Sequence, residues 1–124
     1  MSPRFFMVDA IEFPDETKSN VDQSLVEAAQ RSGARRKYLA RGEGGFHSQI
    51  SWFPPQYAVP THSHDHDEMI MVLEGSLTLT GGGPTLAPFD SVVLEAGHEY
   101  GFTAGEEGLT FLTVRTAEAN IALS

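Results

Sequence analysis

The chain contains no cysteine among its 124 residues. Disulfide frameworks, thiolate metal sites and thiol nucleophiles are all excluded by that absence. Basic residues are scarce, eight against seventeen acids, and the net charge is −9. Such a surplus disfavours nucleic acid and anionic membranes as partners and leaves a small-molecule substrate as the expected one. Long apolar runs are missing too, since none approaches the roughly 18 residues of a membrane-spanning helix. The opening stretch meets an acid at Asp9 before the apolar core of a signal peptide can build up, so a cytoplasmic location is expected. Neither a phosphate-binding Gly-Lys-Ser/Thr loop nor a Gly-x-Ser-x-Gly elbow occurs, and Gly81-Gly82-Gly83-Pro84 has the composition of a turn.

What the chain does have is concentrated in Pro60-Thr61-His62-Ser63-His64-Asp65-His66-Asp67-Glu68, followed by the strand-like run Met69 to Leu73 and then Glu74-Gly75. Imidazoles and carboxylates are ligands for first-row divalent metals, and several of each fall within this short stretch. On one uninterrupted strand His62 and Glu68 would lie about 20 Å apart, too far for a single ion whose bonds are about 2.0–2.2 Å long. The chain must therefore fold back between His64 and Glu68, and the short polar Asp65-His66-Asp67 segment is the natural place. His62, His64 and Glu68 then form a two-His, one-carboxylate set that leaves coordination positions open. In this reading His66 is a turn residue on the rim; a pairing of His64 with His66 stays open.

The spacing His62-x-His64-x3-Glu68-x6-Gly75, preceded by Pro60, resembles the first motif of the cupin superfamily. A second cupin motif is matched less fully over 89–100, where Asp90 and Gly97 are kept. There Phe89 stands for the family's Gly, Glu95 for its Pro, and Tyr100 for the His that is the usual fourth ligand. Gln56 replaces a further Gly six residues before His62. The likeness spans about residues 36 to 115. It implies an all-β fold, a small antiparallel double-stranded β-barrel of the jelly-roll type with the metal near its centre.

The residues agree with that architecture on their own account. Strand-like runs at Phe46 to Phe53, Met69 to Leu73, Ser76 to Thr80, Ser91 to Glu95 and Leu109 to Arg115 are separated by turn signals. Gly75 is expected to close one hairpin, and Gly97, Gly101, Gly105 and Gly108 to punctuate the last third. One short N-terminal helix is expected from a capping box at Asn20 and Gln23, a face of Val21, Leu25, Ala28 and Ala29, and a stop at Gly33. Residues 1–35 then form an arm and helix, and 36–124 the barrel, one domain overall. Arg31, Arg35, Arg36, Lys37 and Arg41 cluster beyond the helix as a solvated face that complements its negative end.

Tyr100 and His98 are the candidate catalytic residues. Tyr100 has three competing roles: phenolate ligand, hydrogen-bond donor to substrate, or aromatic filler. His98 either reaches in as a ligand, acts as acid or base at the mouth, or is an exposed loop residue. His47 points into the cavity or to solvent, which alternation alone does not decide. Trp52, Phe53, Tyr57, Met69, Met71, Phe102 and Phe111 are candidates for the lining. The expected cofactor is a divalent transition metal, iron first, with manganese, zinc or nickel as alternatives. The expected function is oxygenase-like chemistry on a keto or phenolic substrate. The alternatives are a lyase, isomerase or polyketide cyclase, or a non-catalytic binding module. Exposed sheet edges and the arm point to a homodimer.

Overall fold

The structure is a computed structural model that describes residues 2–16 and 22–118, and the backbone of 121–123. All strand pairings are antiparallel. β1 (Arg35–Arg41) pairs with β2 (His47–Phe53), which pairs with β7 (Tyr100–Arg115). The same β7 also pairs with β3 (Ala58–His64), whose other edge takes β8 (Ile121–Leu123). β4 (Glu68–Leu79) carries β5 (Thr85–Leu86) and β6 (Ser91–Leu94) on one side and β7 on the other. The all-β jelly-roll architecture with one short helix is as expected.

Two strands are longer than their sequence suggests, and both run through glycines that read as hairpin ends. β4 continues past Gly75, where its register against β7 shifts between Val72 and Glu74 and again between Gly75 and Leu77. Gly75 is therefore a bulge residue with φ 78, not the turn of a hairpin. Likewise β7 passes through Gly101, Gly105 and Gly108 as sixteen consecutive residues. Its first part pairs with β3 and the end of β4, its second with β2 and the start of β4. These two bent strands curl the sheet around one interior.

Alternation along the strands decides what faces that interior. Glu68, Ile70 and Val72 of β4 are buried while Met69 and Met71 are only half-buried. Tyr100, Phe102, Ala104, Leu109, Phe111 and Thr113 of β7 point inward in the same way. Their rings interlock: Phe111 lies edge-on to Phe53 at 5.1 Å and to Phe102 at 5.7 Å. In β2 the inward face is the polar one, Gln49 and Ser51, whereas Trp52 faces outward and meets Phe13 at 6.0 Å.

α1 (Gln23–Ser32) starts at Asp22, whose carboxylate accepts the Ser24 N–H at 2.8 Å, and stops at Gly33 with φ 91. The stop is where the sequence puts it. Asn20 and Val21, assigned to the helix start, lie outside the described residues. Two of the basic residues are taken up by strand β1 and its partners: Arg36 binds Glu16 through three contacts of 2.8–3.1 Å, and Lys37 donates to Val8 O at 2.9 Å. These bonds tie the arm to the barrel of its own chain.

Candidate functional site

Inward alternation on β3 buries His62 and His64, and inward alternation on β4 buries Glu68. Between them the chain bends through Asp65-His66-Asp67, as the distance argument requires. The bend is braced from the second-motif loop: Gly97 N–H donates to His64 O at 2.8 Å and Ala96 N–H to the Asp67 carboxylate at 2.9 Å. Asp65 turns out to solvent. His66 turns in, with a side chain only 2% exposed, which corrects its assignment to the rim.

The result is a trio. Ligand atoms of His64, His66 and Glu68 all lie within 4.8 Å of one another. Glu68 Oε2 is 3.4 Å from His64 Nε2 and 4.0 Å from His66 Nε2. His66 Nε2 is buried without any hydrogen-bond partner among the described residues. A buried imidazole nitrogen with no partner, aimed at a carboxylate and a second imidazole, is costly unless something occupies the point between them. Nitrogen and oxygen donors suit a first-row divalent ion. The residues fit a metal.

His62 flanks the trio. Its Nδ1–H donates to Pro60 O at 2.8 Å, which leaves Nε2 with its lone pair, and its ring centre is 5.0 Å from that of His64. Of the expected set His62, His64 and Glu68, the structure groups the last two with His66 and stands His62 beside them.

Tyr100 enters from β7. Its hydroxyl donates to Glu68 Oε1 at 2.5 Å and lies 3.1 Å from His64 Nε2. Burial, reinforced by the Glu68 charge, pushes its phenol well above the usual range, with Arg115 opposing. Tyr100 is thus a neutral hydrogen-bond donor.

Arg115 was not anticipated. It stands opposite Glu68 in the β4–β7 register, its Nε donates to Glu68 Oε2 at 3.0 Å, and its Nη1 donates to Gln49 Oε1 at 2.7 Å. Gln49 in turn donates to Ser51 Oγ at 3.2 Å. The signal was present: Leu109, Phe111, Thr113 and Arg115 share one face of a strand, so an apolar inward face carries its arginine inward.

His62, His64, Glu68, Tyr100, Arg115, Gln49 and Ser51 line a cavity of about 640 Å³, and His66 stands behind that wall rather than in it. Phe53, Tyr57, Phe102 and Phe111 are in its wall as expected, and Trp52, Met69 and Met71 are not. Phe13, Glu16 and residues of α1 complete its mouth. His98 is exposed in the loop after β6 and does not reach the cavity, because the Glu95–His98 turn that braces His64 leaves its side chain outside. His47 is half-buried at the start of β2, on the inward parity but beyond the cavity wall.

The Cupin_2 family, described as "Cupin domain", matches residues 50–115, just over half of the chain. The chain is a cupin. Solved structures agree in fold. The polyketide cyclase RemF from Streptomyces resistomycificus superposes with a TM-score of 0.70 at 20% identity, over 99% of this cupin and 85% of RemF. KdgF from Halomonas sp. gives 0.69 at 20% identity over 94% and 96%, and an RmlC-like cupin from Shewanella frigidimarina 0.69 at 19% over 94% of each. No curated protein matches the chain.

Proposed function

We propose that this cupin is a metal-dependent enzyme that moves protons on a small oxygenated molecule, a lyase, isomerase or cyclase reaction. The observation that carries the reading is the Tyr100 hydroxyl, held between His64 Nε2 and Glu68 Oε1 at the cavity. A divalent ion held by His64, His66 and Glu68 would polarise a bound carbonyl or enol oxygen. Tyr100 supplies a proton donor at the same place, and its position on a rigid strand presents the O–H without reorganisation. Arg115 holds the Glu68 carboxylate in a fixed orientation. Phe53, Phe102 and Phe111 exclude water from one side. Structural relatives with such names, the polyketide cyclase RemF, the DMSP lyase DddQ from Ruegeria pomeroyi and an oxalate decarboxylase from Bacillus subtilis, support a non-oxygenase reading.

Oxygenase-like chemistry on a keto or phenolic compound is the second reading. Two imidazoles and one carboxylate are the donor set of iron oxygenases, with positions left for substrate and dioxygen.

Elemental analysis of protein purified without a metal-affinity tag tests the metal. His64→Ala, His66→Ala and Glu68→Gln should each empty the site, and His62→Ala should weaken it by about 10–100-fold, as for an outer-shell group. Metal content unchanged in all four variants would remove the proposal. Turnover of diketones and catechols, with oxygen uptake followed in parallel, separates the two readings. With a converted substrate, Tyr100→Phe should lower kcat by about 10²–10⁴-fold.

A further inference from the structure

Arg115 does more than hold Glu68. A guanidinium has five N–H donors in a fixed plane. Only the Nε–H and one Nη1–H are engaged among the described residues, by Glu68 and Gln49. The remaining three belong to the two terminal nitrogens of a side chain that lines the cavity and is 9% exposed. Glu68 and Gln49 fix the plane of the guanidinium through two of its three nitrogens, and the second Nη1–H and both Nη2–H groups are left for a ligand.

Charge points the same way. The other arginine whose partner is an acid at the cavity, Arg36, is matched by Glu16 at 2.8 Å. Arg115 is matched only by Glu68, the same carboxylate that belongs to the metal trio. With a divalent ion in place, one carboxylate faces an ion and a guanidinium, and the interior carries a positive surplus inside a chain of net charge −9. A buried surplus of this kind favours an anionic ligand. The wall opposite is aromatic, Phe53, Phe102 and Phe111, so the ligand's remaining part is apolar.

We propose that the ligand is an organic carboxylate with an oxygen on the adjacent carbon and an apolar body, a 2-oxo acid, and that Arg115 receives its carboxylate. This rests on the metal-dependent reading above and narrows its substrate class. Planar pairing of a guanidinium edge with a carboxylate gives two parallel hydrogen bonds, which a ketone or an ester does not match.

Isothermal titration tests it with pyruvate, phenylpyruvate and benzoylformate, each against its methyl ester, on wild-type protein both zinc-loaded and metal-free. Acids should bind roughly 10- to 100-fold more tightly than their esters. Arg115→Gln should lose most of that difference by weakening the acids alone. Because that variant breaks a buried ion pair, Gln49→Leu, which frees the guanidinium without removing it, serves as a second variant, and the ester comparison needs no variant at all. Equal binding of acid and ester, no binding of any acid below about 10 mM, or an acid affinity within twofold of wild type in folded Arg115→Gln overturns the proposal. Discrimination that persists in metal-free protein whose zinc titration is blank sinks the metal reading and keeps Arg115. A filled zinc site without discrimination does the reverse.

Discussion

Gln56 and Phe89 adopt φ 61 and φ 73, a left-handed backbone that costs side-chain-bearing residues about 1–2 kcal/mol. Both are positions where the cupin resemblance calls for glycine. The turn geometry has been kept, and the residue that makes it easy has been lost. Phe89 is also 77% exposed, so its ring contributes little packing. Phe89→Gly should therefore stabilise the protein by about 1 kcal/mol, a rise of roughly 3–6 °C in Tm by calorimetry. A lowered Tm would mean that the ring is packed after all. Tyr100 makes a second prediction at this scale. Because its phenol is raised above its unfolded value, its contribution to stability is intact below about pH 10 and is lost as pH climbs beyond it. In chelated protein the phenolate absorbance of the folded state above about pH 10 should be unchanged by Tyr100→Phe, and the alkaline loss of stability should be smaller in that variant. His64 and Glu68 were legible from spacing as members of one buried cluster, whereas the inward turn of His66 was not. A residue inside a tight polar bend can turn either way, and only the bracing of Asp67 and His64 by residues 96 and 97 settles which.

Glycines misled the reading of elements for a physical reason: a bulge, a close crossing and a hairpin all call for the same residue. Gly75 shows the distinction, since a Cβ there would sit 2.0 Å from Gly108 O on the neighbouring strand. Gly75→Ala should cost about 3 kcal/mol or more, from the left-handed φ together with the clash, and urea unfolding should show it as a lower midpoint at unchanged slope. β6 and the second part of β7 were legible because apolar and β-branched residues dominate them, and β2 because Ile50, Trp52 and Phe53 stand out among its polar residues. β1 was hidden by its charge: Arg35, Arg36, Lys37 and Arg41 read as a helix flank until Glu16 and the rings of Phe13 and Tyr38 are seen to cover them. Alternation alone does not decide which face of β2 turns inward, and the partner of Arg115, Gln49, was concealed there.

At the scale of the molecule, the barrel was legible from one motif because its spacing constrains two strands and the bend between them. Zinc should raise the melting temperature of the whole chain, by about 3–4 kcal/mol of added stability at 100–1,000 times Kd, and His66→Ala should abolish the rise. Phe5, Met7 and Phe46 remain exposed at the arm and before β2. Light scattering should accordingly give twice the 13.5 kDa of one chain. The cavity is assembled from two distant stretches of the chain. Strands β3, β4 and β7 contribute the imidazole, carboxylate, phenol and guanidinium groups, while Phe13, Glu16 and α1 contribute the mouth. Chemistry and selectivity are therefore encoded separately. Insertions, shortenings or exchanges before residue 34 should reshape the mouth while leaving the His64, His66 and Glu68 cluster untouched, so that the N-terminal region would serve as an interchangeable cassette on a constant barrel.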